Sequence, residues 1–342
     1  MSKASVRHLL PSAIAVLAIL VAAAGAASAT GAASRSSAGP FTSVTLGDSF
    51  SAGEGVDPYF RDGFDPTTGA QGAIDNSCHR SSRAYSTWVK RPGDPSWLYA
   101  IASGGGRPGI LAGKNKYGSD KNVRSAGGVG WASWACSGAK TKNVLPKSLG
   151  GVPQMEAGQT HDRETQLDSA DLAGADLVTL TIGGNDVGFV GGLISCAVGN
   201  CNTREFEQAR AASIDRTKPL LEEVYGAVAK EAPRARVLVL GYPQLFPATK
   251  AEQSCSGLIL FSGEQNMLRR LTARLNTTIA AAIGSVATSG AKIEFVPVAG
   301  RFAGHEVCGR KGSWVSGIFH PSLQGQRDGY AAAVNAALGP RR

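Results

Sequence analysis

Short apolar runs that each end in a cluster of small residues recur along this chain, and the long segments between the later ones carry helical periodicity. Ser43 to Gly47, Asp176 to Ile182, Arg236 to Pro243 and Lys292 to Val298 are such runs. Glu205 to Ala232 and Gly263 to Ala287 repeat apolar residues at helical spacing, with Met267, Leu268, Leu271, Leu275 and Ile279 on one side of the second. The first helix should stop at Pro233, and a last one should run from about Leu323 to Leu338 behind a capping Ser322. Buried strands alternating with helices predict a parallel sheet covered on both faces, an α/β fold. In such sheets functional groups collect at the carboxyl ends of the strands. Gly63 to Gly130, rich in Gly, Pro, Ser and Asn, reads as an irregular excursion from one domain.

The first 40 residues stand apart from that pattern. Lys3 and Arg7 precede an apolar stretch from Leu9 to Ala27, and Ala27-Ser28-Ala29 has the small residues of a cleavage site. Residues 1–29 are therefore expected to be an export signal, cut near Ala29, with 30–40 a flexible leader and 41–342 one folded domain. The mature chain is expected to be extracellular. Losing Lys3 and Arg7 lowers the net charge from +9 to +7. Much of the excess lies between Lys90 and Arg124 beside Trp97, Tyr99 and Tyr117, without the sign separation or motif of a nucleic-acid site, so no nucleic acid is expected as partner.

All six cysteines, Cys78, Cys136, Cys196, Cys201, Cys255 and Cys308, follow the signal, and an even count in an exported chain suggests disulfides. Their spacing is unlike that of a zinc site, so no metal is expected. Only Cys196 with Cys201 is suggested as a pair by sequence. Ala112-Gly113-Lys114-Asn115 lacks the residues of a phosphate loop, and Gly128-Val129-Gly130 lacks a third glycine and follows no evident strand. Asn276-Thr277-Thr278 is a formal glycosylation acceptor inside a helical pattern.

The first run passes into Gly47-Asp48-Ser49-Phe50-Ser51-Ala52-Gly53, a small-residue turn with a serine at its tip. A buried strand fixes such a serine, and the glycines let the backbone turn sharply beside a substrate carbonyl. Acyl transfer also needs a base and donors for an oxyanion. His8 leaves with the signal, His79 and His305 lie close to cysteines, and His161 sits in a very polar stretch. His320, between Ile318-Phe319 and Pro321-Ser322, is the candidate base.

Four segments together, Gly47-Asp48-Ser49, Gly138 within Ala135-Cys136-Ser137-Gly138-Ala139, Gly183-Gly184-Asn185-Asp186 and His320-Pro321-Ser322, resemble the signature blocks of the SGNH, or GDSL, hydrolases, in the family's order. The alanine-flanked Cys-Ser-Gly, Gly241-Tyr242-Pro243 and the cysteines are most similar to its secreted actinobacterial lipases and esterases. The resemblance implies a three-layer α/β/α sandwich with a central, mainly parallel sheet. It implies Ser49 as nucleophile, His320 as base, and an oxyanion hole of the Ser49 and Gly138 N–H groups with the Asn185 amide. It also implies the pairs Cys78–Cys136, Cys196–Cys201 and Cys255–Cys308. Gly138 lacks a Cβ, so its N–H can approach an oxygen closely, and Asn185 donates without carrying charge.

One position departs from the family. Its usual aspartate three residues before the histidine is here Gly317, whose carbonyl is assigned the orienting role, making a Ser–His dyad. Asp48 reads as a structural hydrogen-bonder. The expected activity is carboxylic-ester hydrolysis on lipid-like acyl esters, without cofactor, by a monomer in transient contact with a lipid surface. A polysaccharide or cell-wall acetyl esterase is the alternative enzyme, and a non-catalytic envelope or glycan-binding protein the alternative of another class.

Overall fold

A computed structural model describes residues 40–339 apart from 61–62, 65–70, 75–77, 106–122, 155–163, 200, 250–259, 289 and 317–318. The signal, the leader, His161, Cys255, Gly317 and most of the basic segment lie outside the described residues. The strands are β1 (Phe41–Gly47), β2 (Gly63–Phe64), β3 (Gln71–Ile74), β4 (Val123–Ala126), β5 (Val129–Ser133), β6 (Leu177–Thr181), β7 (Arg236–Leu240) and β8 (Ile293–Val296). The helices are α1 (Ser49–Ala52), α2 (Leu98–Ala102), α3 (Thr141–Val144), α4 (Gln166–Ser169), α5 (Phe189–Val198), α6 (Arg204–Glu231), α7 (Ser262–Ala287) and α8 (Ala332–Leu338).

Six strands form one sheet in the order β4-β5-β1-β6-β7-β8, parallel throughout except where β4 runs antiparallel to β5. The four apolar runs are β1, β6, β7 and β8, and the long helical patterns are α6 and α7. With helices on both sides of the sheet, the architecture is an α/β/α sandwich.

Alternation along the two central strands explains their mixed composition. Thr45 and Thr179 point to one face, where their hydroxyls bond each other at 3.0 Å and the Tyr85 hydroxyl donates to Thr179. Val44, Leu46, Val178 and Leu180 point to the other face and are fully buried or nearly so. Helix α6 starts at Thr203, whose hydroxyl accepts from the Phe206 N–H at 3.1 Å, and ends before Pro233.

The Gly63 to Gly130 segment is more regular than its composition suggests. It contains the β2–β3 pair, α2, and the β4–β5 hairpin at the edge of the main sheet. Gly127 and Gly128, at φ 57° and 73°, form the two-residue turn of that hairpin, the left-handed pair that a tight hairpin favours. Gly128-Val129-Gly130 therefore does follow a strand, contrary to expectation. The terminal helix starts near Leu323 as expected, but Gly325–Ala331 is wound as a π-helix before α8. Gly329 lies against the Phe302 ring, where a Cβ would come within 2.4 Å.

Gly47 is the tightest point. Its φ is 114°, and a Cβ there would lie 2.1 Å from the Thr181 carbonyl oxygen across the β1–β6 pair. Gly47→Ala combines left-handed strain with a backbone clash and should cost about 3 kcal/mol or more, read as a lower urea midpoint with an unchanged m-value.

Candidate active site

The nucleophile turn is built from Gly47 outward. The buried Gln166 amide donates to the Gly47 carbonyl at 2.8 Å and accepts from its N–H at 2.6 Å. The Asp48 N–H donates to the Thr181 carbonyl, and the Asp48 side chain caps α1 by accepting from the Phe50 N–H at 3.1 Å. Helix α1 lasts four residues, all buried, and closes on Gly53 in the left-handed region. Ser49 is 5% exposed at its start.

His320 meets it from the far end of the chain. Its Nε2 stands 2.8 Å from Ser49 Oγ. The loop that presents the ring is tight, with the Ser316 N–H donating to the His320 carbonyl at 2.7 Å and Phe319 in the left-handed region at φ 61°. Gln326 ties this end of the chain to α1, accepting from the Tyr85 N–H at 2.9 Å and donating to the Phe50 carbonyl at 3.2 Å. The Phe50 ring packs against the imidazole with centroids 5.1 Å apart.

The Gly138 turn arrives from β5. Backbone pairing continues past the strand, Trp134 N–H to Thr45 and Cys136 N–H to Gly47, so the turn begins beside Ser49. Cys136 is bonded to Cys78, the Ser137 N–H donates to the Cys78 carbonyl, and Arg80 Nε donates to the Ala135 carbonyl at 2.9 Å. Gly138 has φ 83°, and the Gln154 amide donates to the Ser137 carbonyl at 2.6 Å.

Asn185 follows β6. One N–H of its amide donates to the Ala139 carbonyl at 2.9 Å, which aims the side chain and leaves the second N–H. Asp186 accepts from the Thr141 hydroxyl at 2.7 Å and from its N–H, holding α3 behind the Gly138 turn. The structure thus brings Ser49, Gly138, Asn185 and His320 to one end of the sheet.

Two carboxylates beside these turns have other partners. Asp48 is fully buried, and burial pushes its carboxyl up to about 6 against the bonds from Thr181, Tyr242 and the Phe50 N–H. Burial likewise raises Asp186 against its bonds from Thr141. Tyr242 links the turns, donating from its hydroxyl to Asp48 and accepting from the Gly184 N–H at 3.0 Å.

The other described histidines, His79 and His305, have partners other than Ser49. His79, expected to be pinned at a disulfide loop, follows Cys78 and places Nδ1 2.6 Å from Glu54. His305 stacks on Trp314 with centroids 3.8 Å apart. Cys196 is joined to Cys201, and Cys308 is disulfide-bonded. Asn276 lies inside α7, and its amide bonds both the N–H and the carbonyl of Tyr242. Gln166, Gln154, Gln326 and Glu54 were not singled out by the sequence. Only Gln166 has a local signal, the Thr165-to-Asp168 capping spacing that starts α4.

Comparison with known proteins defines the class. The model of the GDSL-like lipase/acylhydrolase family matches residues 101–327, which include the Gly138, Asn185 and His320 segments. The chain is similar to a lipase of Streptomyces rimosus, 29% identical with 86% of this chain and 85% of that protein covered. It is also similar to lipase 1 of Streptomyces coelicolor, 29% identical with 94% and 96% covered. The crystal structure of the extracellular lipase from Streptomyces rimosus superposes with a TM-score of 0.57 at 25% identity, covering 87% of this chain and 99% of that one. The fold also matches that of phospholipase A1 from Streptomyces albidoflavus, with a TM-score of 0.52 at 24% identity and the same coverage of both chains. Sheet, turns and relatives define a carboxylic-ester hydrolase. The chain belongs to the GDSL-like lipase/acylhydrolase family.

The state of Asp48 should be visible in stability. A folded value raised above the unfolded one contributes stability that is complete below about pH 4 and is lost as pH rises through about 6. Between pH 4 and pH 7 the wild type should lose about 2 kcal/mol relative to Asp48→Asn, which lacks this titration. Parallel urea melts across that range measure the difference.

Proposed function

We propose that the protein is a secreted lipase or esterase that works through a Ser49–His320 dyad and a serine acyl-enzyme. The contact that carries this reading is the 2.8 Å approach of His320 Nε2 to Ser49 Oγ. Ser49 Oγ attacks the ester carbonyl carbon as its proton passes to Nε2. The tetrahedral oxyanion accepts from the N–H groups of Ser49 and Gly138 and from the free N–H of the Asn185 amide. The imidazolium then protonates the leaving alcohol, and the C–O bond breaks. Water, losing a proton to the same nitrogen, attacks the acyl-enzyme and releases the acid with Ser49 restored. No cofactor enters any step.

With Asp48 and Asp186 engaged by Thr181, Tyr242 and Thr141, the Gly317 carbonyl is assigned as the group that orients His320. Lipid-like acyl esters are the proposed substrates. The relatives named lipase support this. Export through residues 1–29 agrees with the extracellular relative and with the disulfides. The mature enzyme is read as a monomer.

Ser49→Ala should lower hydrolysis of p-nitrophenyl esters by about 10³ or more with an unchanged melting temperature, and a fluorophosphonate should label Ser49 alone. Labelling at another serine would overturn the assignment. Asn185→Ala should lower kcat by about 10² to 10³ with little change in KM, because an oxyanion donor acts mainly in the transition state. An effect confined to KM would make Asn185 a substrate-holding residue instead.

A further inference from the structure

Two donors assigned to the oxyanion hole, the Ser49 and Gly138 N–H groups, sit on turns joined ahead of the serine by the bond from the Cys136 N–H to the Gly47 carbonyl. Beyond the serine the connection runs through a third segment, Cys78 to Ser81. Cys78 is bonded to Cys136, and its carbonyl accepts from the Ser137 N–H at 3.0 Å. The same segment meets α1 and its C-terminal cap twice. The Ser81 N–H donates to the Ala52 carbonyl at 2.8 Å, and His79 Nδ1 lies 2.6 Å from Glu54 Oε2.

Glu54 is tied to the serine by its backbone as well. The Gly53 and Glu54 N–H groups both donate to the Ser49 carbonyl, at 3.0 and 3.1 Å. Gly53 makes this return possible in the left-handed region at φ 87°, where a Cβ would lie 2.8 Å from Ser81 Cβ. A shift of residue 54 therefore passes through a four-residue helix to Ser49.

The His79 end is held as closely. Its ring stacks on Tyr59 at 4.8 Å, the Tyr59 hydroxyl accepts from the Gly55 N–H at 3.0 Å, and the Tyr59 backbone bridges to Ser81. His79 sits in the left-handed region at φ 49°, uncommon for a residue with a side chain and kept only where its surroundings demand it. The Glu54 side chain is 14% exposed and that of His79 40%, and a partly buried pair is screened less than one on the open surface.

We propose that Glu54 and His79 form a strut that sets the spacing of the Ser49 and Gly138 N–H groups, making both of them positioning residues for the transition state. The proposal rests on the Ser49 acyl-enzyme reading above. The ester oxygen gains its charge only as Ser49 Oγ attacks, so donors held at the right separation act on the tetrahedral state far more than on the bound ester. Without the side-chain tie, the end of α1 and the disulfide segment move independently, and the two donors no longer converge on one oxygen.

Glu54→Ala should lower kcat for a p-nitrophenyl ester about 10- to 100-fold, with KM within about 2-fold of the wild type. Affinity for phenylboronic acid, whose tetrahedral adduct on Ser49 places an oxygen in the hole, should fall in parallel. His79→Asn tolerates the left-handed backbone but stops short of Glu54, and should give the same loss. The double variant should be no worse than either single one, because the same strut can be removed only once. Glu54→Gln keeps the reach and can accept from His79, whereas Glu54→Asp keeps the charge but is one methylene short. The glutamine should retain more kcat, and a carboxylate acting through its charge would reverse that order. A merely structural role would lower the melting temperature and the fraction of enzyme titrated by a fluorophosphonate, leaving kcat per titrated site and boronate affinity unchanged. Whether the fluorophosphonate labels Ser49 tests the acyl-enzyme reading separately. With Ser49 labelled, an unchanged kcat per site or boronate affinity in Glu54→Ala, or in His79→Asn should the first variant not fold, overturns the proposal. Additive losses in the double variant, or an effect confined to KM, overturn it too.

Discussion

The buried carboxylate of Asp48 joins turns that leave three different strands. One oxygen receives the Phe50 N–H and the Thr181 hydroxyl, and the other receives the Tyr242 hydroxyl. Tyr242 in turn accepts from the Gly184 N–H, so the serine turn after β1 and the Asn185 turn after β6 hang on one tyrosine placed after β7. The arrangement has a cost, because a carboxylate with no exposure to water is disfavoured in its charged form. Three donors offset part of that penalty. What the arrangement gains is geometry, since the proposed oxyanion hole is made of separate turns and works only if their spacing is held to fractions of an ångström.

The same logic places the third turn. Gly138 reaches the site because β5 keeps pairing with β1 after the strand proper ends, and because the Cys78–Cys136 bond and Arg80 hold the backbone on either side of it. The glycine conformations at 47 and 138 have different causes. At Gly47 a Cβ would strike backbone, whereas at Gly138 it would meet only the Gln154 amide, at 3.2 Å. Gly47 is thus demanded by the packing of two strands, and Gly138 by its left-handed backbone.

The strands and long helices could be read from sequence because their apolar residues are contiguous or at helical spacing. Val178 to Ile182 can be little else than a buried strand, and Leu268, Leu271 and Leu275 can share only one helix face. The β4–β5 hairpin was missed because Val123-Arg124-Ser125-Ala126 is short and polar, and its one clear signal, Gly127-Gly128, is lost among many glycines. The candidate site was legible where chemistry restricts residue type, as at Ser49, Asn185 and His320. Its supports were not. Gln166 bonds Gly47 across 119 residues, and Gln326 bonds Phe50 across 276, and amide pairing at such separations leaves no local pattern. Glu54 escaped for a related reason, since a glutamate after a glycine reads as surface until His79 is folded against it.

How a histidine without an adjacent aspartate stays aligned is answered by its loop. Phe319 turns in the left-handed region, the Ser316 N–H closes on the His320 carbonyl, and Pro321 bridges back to Val315, so little freedom remains in the backbone that carries the ring. Gln326 then links this loop's helix to the carbonyl of Phe50, the residue next to Ser49. Alignment and charge, which one carboxylate supplies in a triad, are thereby separable tasks. In the proposed dyad the backbone of the loop and the Gln326 amide are placed for the first. A ring so held brings Nε2 to 2.8 Å from Ser49 Oγ, the contact on which the proposed dyad rests.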